Sequence, residues 1–191
     1  MISPRRADAA RNRDLLLATA RAVLAEEGPA LQLNDIARRA GVGVGTAYRH
    51  FPTPRALVEA LADDAFTALL GEAREASRHD DVWSGVAMLL RALLLRQLGD
   101  PALTEILSTG PDQDATERTT GHRDEFTTLA RGVLERARAA DLLRPGLADD
   151  DLQHLVCGVV FALRIGDGPE ERVDRYLQVL LSGIRSGTPE R

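Results

Sequence analysis

Several residue types are scarce in this sequence of 191 residues, and each absence narrows what the chain can be. Lysine is absent, so all 24 basic residues are arginine, whose planar guanidinium suits guanine edges and phosphates. Cys157 is the only cysteine, which excludes an intrachain disulfide and fits a reducing cytoplasm. No apolar run is judged long enough to span a bilayer, and no apolar signal core follows Arg5 and Arg6. We therefore expect a cytoplasmic protein without a membrane partner.

Motifs typical of enzymes and of cofactor sites are also missing. The sequence has no nucleophile elbow, phosphate loop or glycine-rich nucleotide fingerprint. His79, His122, His154 and Cys157 share no metal-ligand spacing, so we predict no metal, no cofactor and no catalytic residue. Two alternatives stay open at this point: a small helical enzyme that uses Arg91 or a histidine, and a protein-interaction module that does not bind DNA.

The charge is distributed unevenly along the chain. The formal net charge is −5, which by itself argues against DNA binding. Residues 1–55, however, hold nine arginines against five acids, whereas the remainder holds fifteen arginines against twenty-four acids. A basic head on an acidic body is the asymmetry expected of a protein that offers one end to DNA.

The apolar residues recur at helical spacing, and no strand alternation is convincing. The sequence therefore predicts an all-α fold with a helix-turn-helix DNA-binding head, residues 1–52, and a ligand-binding and dimerisation body, residues 53–191. Proline and glycine mark the ends of most predicted helices. The predicted helices are 8–27, 35–40, 44–51, 54 to about 77–81, 81–98, 101–107, 122–140, 149–166 and 169–186.

The most informative segment has the layout of two short helices around a glycine turn. Asp35 to Ala40 forms the first helix, and Gly41 can take the left-handed conformation that stops it. Gly43 can cap the second helix, which runs from about Val44 to Phe51. Its polar, aromatic and positive face fits the major groove of duplex DNA, and it carries Thr46, Tyr48, Arg49 and His50.

This segment resembles the DNA-binding motif of the tetracycline-repressor (TetR) family of bacterial regulators. The close match covers residues 12–61, and size and helical character extend it loosely over the whole chain. Three positions depart from the family pattern: Gly43 replaces a common capping serine, Val44 replaces a polar residue, and Pro54 replaces a phosphate-gripping lysine. Arg55 is the candidate to contact that phosphate instead. The matching residues are Asp35-Ile36-Ala37, Ala40-Gly41-Val42, Gly45-Thr46, Tyr48, His50-Phe51 and Ala56-Leu57.

The motif predicts a set of residues that contact DNA. Tyr48 and His50 are expected to contact phosphates, which carry little sequence information. Arg49 is expected to read a guanine edge, with a phosphate contact or plain solvation as alternatives. Asn34 either reaches DNA or caps its helix. The full predicted set is Asn34, Val44, Gly45, Thr46, Tyr48, Arg49, His50 and Arg55.

The resemblance implies a regulator that responds to a ligand, most often a repressor, which binds a palindromic operator as a homodimer and is released by a small molecule. The sequence predicts a hydrophobic effector in the body, because its cavity candidates are mostly aliphatic; simple core packing is the alternative for each of them. Arg91 would hold an acidic group of the effector, or else pair with an acid. The predicted cavity residues are Trp83, Met88, Arg91, Leu103, Leu107, Phe126, Leu129 and Val133.

Two identical heads about 34–36 Å apart are needed to read a palindrome, so the dimer must come from the body. The last two helices carry more apolar residues than their own core requires, and the resemblance implies a four-helix bundle between the two copies. The predicted interface residues are Leu152, Val156, Val159, Leu163, Tyr176, Leu177, Leu180 and Ile184.

Overall fold

The predicted all-α fold is confirmed. The structure is a computed structural model and describes residues 4–28, 30–109, 114–165 and 168–187. No β-strand occurs in these ranges, where one isolated bridge pairs Leu143 with Arg185. The helices within them are α1 (Pro4–Glu27), α2 (Leu33–Arg39), α3 (Val44–His50), α4 (Pro54–Arg78), α5 (Val82–Gly99), α6 (Pro101–Ser108), α7 (Glu117–Ala139), α8 (Asp149–Arg164) and α9 (Pro169–Ile184).

Side-chain caps fix where several helices begin. The hydroxyl of Thr53 accepts a hydrogen bond of 3.0 Å from the backbone N–H of Ala56, as expected for the cap of α4. Asp100 caps α6 in the same way, since its carboxylate accepts from the backbone N–H of Leu103 at 2.8 Å. Proline follows each cap as the first helical residue, where its missing N–H has no intrahelical partner to lose.

Two predicted boundaries were wrong by more than two residues. Helix α1 begins at Pro4 and not at Asp8. Helix α7 begins at Glu117 and not near residue 122, because the Thr116 hydroxyl accepts from the backbone N–H of Thr119 at 3.3 Å and so caps an earlier turn. The loop between α6 and α7 is correspondingly shorter than its many Gly, Pro, Asp and Thr residues indicated.

The described residues divide into two compact units. The head unit runs to Asp64 and resumes from Asp100 to Thr120, and the body unit comprises Ala65–Gly99 and continues from Gly121. The head unit therefore includes α6 and the first part of α4, besides the three helices of the predicted head. This division differs from the predicted functional boundary between residues 52 and 53, which stays a prediction.

The core of the head unit comes from the apolar sides of its first three helices. The predicted stripe of α1 is buried from Leu16 to Leu24. Ile36 of α2 and Ala47 of α3 have no exposed surface, and Phe51 just after α3 is also buried. These contacts fix the orientation of α3, so that its opposite side faces outward.

The core of the body unit is centred on α5, which packs against α8 and α9. As predicted, α5 is apolar nearly all round, with Val86, Leu89 and Leu94 buried. The expectation that no segment is long and apolar enough to span a bilayer was wrong, because Val82–Gly99 meets that test by length and composition. A core helix of a soluble protein passes the same test, and α5 has buried neighbours in the body unit.

Candidate nucleic-acid interface

The turn between α2 and α3 has the tight geometry that the glycine pattern predicts. Gly41 adopts a left-handed conformation with φ of 67°, which ends α2 at little steric cost. The backbone N–H of Val42 donates to the carbonyl of Ala37 at 2.9 Å, and the Val42 side chain is buried. Gly43 is the N-cap residue of α3, as expected, without a side-chain cap. The turn thus holds α2 and α3 in a helix-turn-helix arrangement.

The outward side of α3 carries the predicted DNA-contacting residues, and we call it the recognition face. Ala47 lies on the opposite side of the helix, which packs into the core of the head unit. Val44 and Tyr48 are 45% and 43% exposed and lie one turn apart, and Arg49 is exposed beside them. The remaining members are partly or fully exposed, so the face combines hydroxyl, imidazole, phenol and guanidinium groups; it consists of Val44, Gly45, Thr46, Tyr48, Arg49 and His50.

Asn34 lies on the other helix of the motif. The N-cap of α2 is Gln32, and Asn34 is the second residue of the helix, so the alternative that Asn34 caps α2 was wrong. Its side chain is exposed. A DNA contact from Asn34 stays a prediction.

Arg38 is a further candidate that sequence reasoning missed. It lies three residues before Gly41, and its side chain is 80% exposed. It pairs with Asp35, which also binds Arg39 at 2.7 Å. Surface ion pairs of this kind contribute little to stability and are readily exchanged, so a phosphate can replace Asp35 as the partner of Arg38. Its position next to the turn was the available signal.

The prediction that Arg55 grips a phosphate is contradicted by its surroundings. Its side chain is 14% exposed, and its Nε atom donates to Glu59 at 3.0 Å. Its Nη1 atom donates to the hydroxyl of Thr109 at 2.8 Å. A guanidinium held in this way within the head unit cannot reach out to a DNA backbone. The lysine that Pro54 replaces therefore has no substitute at Arg55.

The predicted cavity residues are distributed over both units. Leu103 is buried in the head unit and Leu107 is half-buried there. In the body unit, Val133 belongs to the buried core. Trp83 is half-buried, and the Arg185 guanidinium lies 4.9 Å from the centroid of its ring. Three further predicted residues are half-buried against the core of the body unit: Met88, Phe126 and Leu129.

The prediction that Arg91 points inward to hold a ligand was wrong. Its side chain is half-exposed, and its Nε atom donates to the carboxylate of Asp174 in α9 at 3.2 Å. The alternative, pairing with an acid, is the one observed. The physical reason is the usual one: a guanidinium stays in contact with water unless a buried partner offsets its desolvation.

The apolar stripe predicted for the dimer interface lies mostly within the body's own core. The buried members are Leu152, Val156, Leu163, Leu177, Leu180 and Ile184, whereas Val159 and Tyr176 are half-buried beside them. The burial of these six side chains in the body's own core leaves them little surface for contact with a second copy. The large apolar side chains that α8, α9 and the residue after α8 leave exposed are Leu155, Phe161, Ile165 and Val179.

An open groove of about 640 Å³ runs along the outward side of α8. Its walls are almost wholly apolar apart from two titratable residues, Asp151 and His154. The remaining lining residues are Leu147, Leu155, Gly158, Val159 and Ala162. Among the residues that the structure describes, no group of three or more His, Cys, Asp or Glu side chains is arranged to hold a metal ion.

Comparisons with known proteins identify the motif. The family model for bacterial regulatory proteins of the tetR family matches residues 16–61. The HTH-type transcriptional regulator SAR0097 of Staphylococcus aureus (strain MRSA252) is 33% identical over 82 residues, which are 41% of this chain and 42% of that protein. The match thus spans less than half the length of this curated relative.

Solved structures share the fold over nearly the whole chain. The TetR transcriptional regulator SCO0520 from Streptomyces coelicolor is 26% identical with a TM-score of 0.54, covering 92% of this chain and 99% of that one. The regulator FadR from Bacillus subtilis, solved in complex with stearoyl-CoA, is 19% identical with a TM-score of 0.59, covering 89% and 98%. The chain belongs to the TetR family of bacterial transcriptional regulators.

Proposed function

We propose that this regulator represses transcription in the cytoplasm by binding a palindromic operator as a homodimer, and that a small hydrophobic molecule releases it. The observation that carries the proposal is the recognition face of α3. A short helix held by its neighbours, with its polar and aromatic side turned outward, has the dimensions and chemistry of the major groove. No cofactor and no catalytic residue enter the proposal.

The charges of the head support binding to a polyanion. Arg49 on the recognition face is exposed, and Arg38 at the turn pairs with Asp35 at the surface. Phosphate neutralisation by such arginines releases counterions, and this makes affinity depend steeply on salt. Tyr48 and His50 add hydrogen bonds to phosphate oxygens, which position the helix.

Binding of the full chain to labelled duplex DNA, measured by fluorescence anisotropy, tests the proposal. A pool selected by the protein from random sequence supplies the probe. We expect log affinity to fall linearly with log salt, with a slope of about −0.9 per phosphate neutralised. An enzyme or a protein-interaction module would show no selected sequence, and a flat response between low and physiological salt would refute DNA binding.

The exposed apolar surface of α8 and α9 supports a homodimer. Phe161 and Val179 are 69% and 68% exposed, and Leu155 and Ile165 are also exposed apolar side chains. Isolated apolar side chains on a surface are ordinary, but the groove along α8 has apolar walls and includes Leu155, and this supports an interaction site there. A second copy is the occupant that a palindrome requires, and stable homodimers commonly bury about 2,000 Å² or more.

The half-buried residues of the body unit support a hydrophobic effector. Trp83, Met88, Phe126 and Leu129 pack at the margin of the core and are not fully enclosed in it. A ligand can release DNA only if it binds the released state more tightly than the DNA-bound state. Stearoyl-CoA, bound in the structure of FadR from Bacillus subtilis, is the first compound to test here.

Trp83 is the sole tryptophan, so its fluorescence reports on this part of the body unit. Titration with stearoyl-CoA or a free long-chain fatty acid should change the Trp83 emission and release operator DNA with the same midpoint. Met88→Ala is expected to move both midpoints together. Release of DNA without any change at Trp83, or unaltered midpoints in the variant, would place the effector elsewhere.

A further inference from the structure

Val44 has an exposed apolar side chain that the fold does not explain. It is the first residue of α3 and is 45% exposed on the recognition face. The inward anchor of the helix is Ala47, three residues later, which has no exposed surface. Leaving a valine in water forgoes the favourable burial of its two methyl groups. A polar residue at this position would serve the fold of the head equally well.

Val44 is flanked by two glycines, Gly43 and Gly45. A Cβ atom added to Gly45 would meet nothing within 4 Å, and one added to Gly43 would meet only the Thr46 hydroxyl at 3.8 Å. Neither glycine has the positive φ that would require it, since φ of Gly43 is −60° and Gly45 has the ordinary conformation of a residue within α3. Glycine within a helix is less favourable than alanine. Gly43 serves as the N-cap of α3, where glycine is acceptable, but the protein's own packing gives no reason for a glycine at position 45.

Close contact with DNA does explain a glycine at this position. When a helix enters the major groove, the residues near its start lie closest to the base edges. Glycine at positions 43 and 45 lets the backbone approach the DNA closely, and the Val44 side chain then projects between two bare positions. The 5-methyl group of thymine is the apolar feature of base edges in the major groove.

We propose that Val44 reads the 5-methyl group of a thymine in each half-site, and that Gly45 keeps open the space this contact needs. The inference rests on the proposed DNA-binding function and adds the chemical group that is recognised. Val44 stands where the family pattern commonly has a polar residue, so this contact would distinguish the operator of this chain from those of relatives.

Replacement of thymine by deoxyuridine tests the contact directly, because it removes the methyl group and leaves base pairing intact. The probe is the duplex selected from random sequence by the full chain, with each thymine of a half-site replaced in turn. We expect one position at which the replacement weakens binding about fourfold, the effect of one buried methyl group. With Val44→Ala, the ratio between thymine and deoxyuridine at that position should fall to about one.

Two further variants make the result specific. Tyr48→Phe, on the same face, should weaken binding to both duplexes and leave their ratio unchanged. Gly45→Ala should fold at least as stably as the wild type, because the added Cβ has free space, and yet bind the operator more weakly. Circular dichroism checks that each variant is folded.

The outcomes separate this inference from the function on which it rests. If the wild type binds duplex DNA with a steep salt dependence but no thymine shows a methyl effect, the role of Val44 is wrong and DNA binding stands. A methyl effect that persists in Val44→Ala also overturns it. Absence of salt-dependent binding to any duplex overturns both proposals.

Discussion

The Nε atom of Arg55 donates a hydrogen bond of 3.0 Å to the Oε1 atom of Glu59, one turn further along α4. The two side chains are 14% and 2% exposed, so this is a largely buried ion pair. The other carboxylate oxygen, Oε2, accepts from the backbone N–H of Thr116 at 2.9 Å, and Nη1 of Arg55 donates to Thr109. The pair therefore joins the start of α4 to the segments that end α6 and precede α7, all within the head unit.

Removal of one partner from this pair should be costly. Glu59→Ala leaves a buried guanidinium without its counter-charge, and we expect the free energy of unfolding to fall by about 3–5 kcal/mol. Urea denaturation followed by circular dichroism measures the change. The double variant Arg55→Met with Glu59→Leu removes both charges at similar volume and should recover most of the loss. A Glu59→Ala variant as stable as the wild type would show that the pair is solvated.

The same geometry predicts which arginines act on DNA. Arg38→Ala removes an exposed charge beside the turn and should make the slope of log affinity against log salt shallower by about 0.9. Arg55→Met should leave the slope unchanged even though it destabilises the head, because its guanidinium faces Glu59 and Thr109. Equal changes of slope in the two variants would contradict the assignment of Arg55 to the interior.

Local signals explain how much of the head could be predicted from the sequence. The turn depends on Gly41, the start of α4 on Thr53, and the orientation of α3 on Ala47, and each of these acts within a few residues. Arg55 was misassigned because one of its two partners, Thr109, lies 54 residues away along the chain, although the other, Glu59, lies only four residues away. Arg91 was misassigned for the same reason, with Asp174 at a separation of 83 residues.

The error over the dimer stripe has a different cause. Helix α8 is apolar on two sides, so helical spacing alone could not show that Val156, which was predicted for the interface, is less available than Leu155, which was not. The core of the body unit takes up Val156, which is buried, and Leu155 remains exposed. Which side of such a helix the core covers depends on the position of α5 and α9, and that information is not contained in the periodicity of α8.

A base contact by Arg49 should affect sequence preference, whereas phosphate contacts should not. If its exposed guanidinium chelates a guanine edge, Arg49→Ala should relax preference at one operator position, at a cost of about 1–3 kcal/mol. Tyr48→Phe and His50→Ala should instead weaken binding to all sequences alike. Selection from random DNA with each variant gives the comparison, and an unchanged sequence preference for Arg49→Ala would exclude the base contact.

The start of α5 should make stability depend on pH. Two hydrogen bonds from Ser84 lower the pKa of Asp81 below its usual value. The larger effect comes from the Ser84 side chain, and the second from its backbone N–H, which donates to the Asp81 carboxylate at 2.7 Å. A lowered pKa in the folded state means that the stabilisation is present above the unfolded pKa and is lost as the pH falls through the folded pKa. The difference in Tm between the wild type and Asp81→Ala should therefore be largest near neutral pH and shrink in acid.

Asp81→Asn is the control for this titration, because an asparagine keeps an oxygen that can accept the cap hydrogen bond but carries no titrating group. The difference in Tm between Asp81→Asn and Asp81→Ala should stay nearly constant with pH. A difference between the wild type and Asp81→Ala that did not change from neutral to acid would mean that the cap does not depend on the carboxylate charge.

The last prediction concerns the exposed apolar surface of α8 and α9, which we propose as the dimer interface. Val179→Glu or Phe161→Glu places a charge on the exposed apolar surface, and we expect a monomer with a nearly unchanged Tm and much weaker operator binding. Gln178→Glu, which adds the same charge at the neighbouring exposed position of α9, should remain a dimer. Leu180→Arg should instead unfold the body, because Leu180 is buried in its own core. Sedimentation at micromolar concentration distinguishes these results, and a monomeric wild type would rule out the dimer.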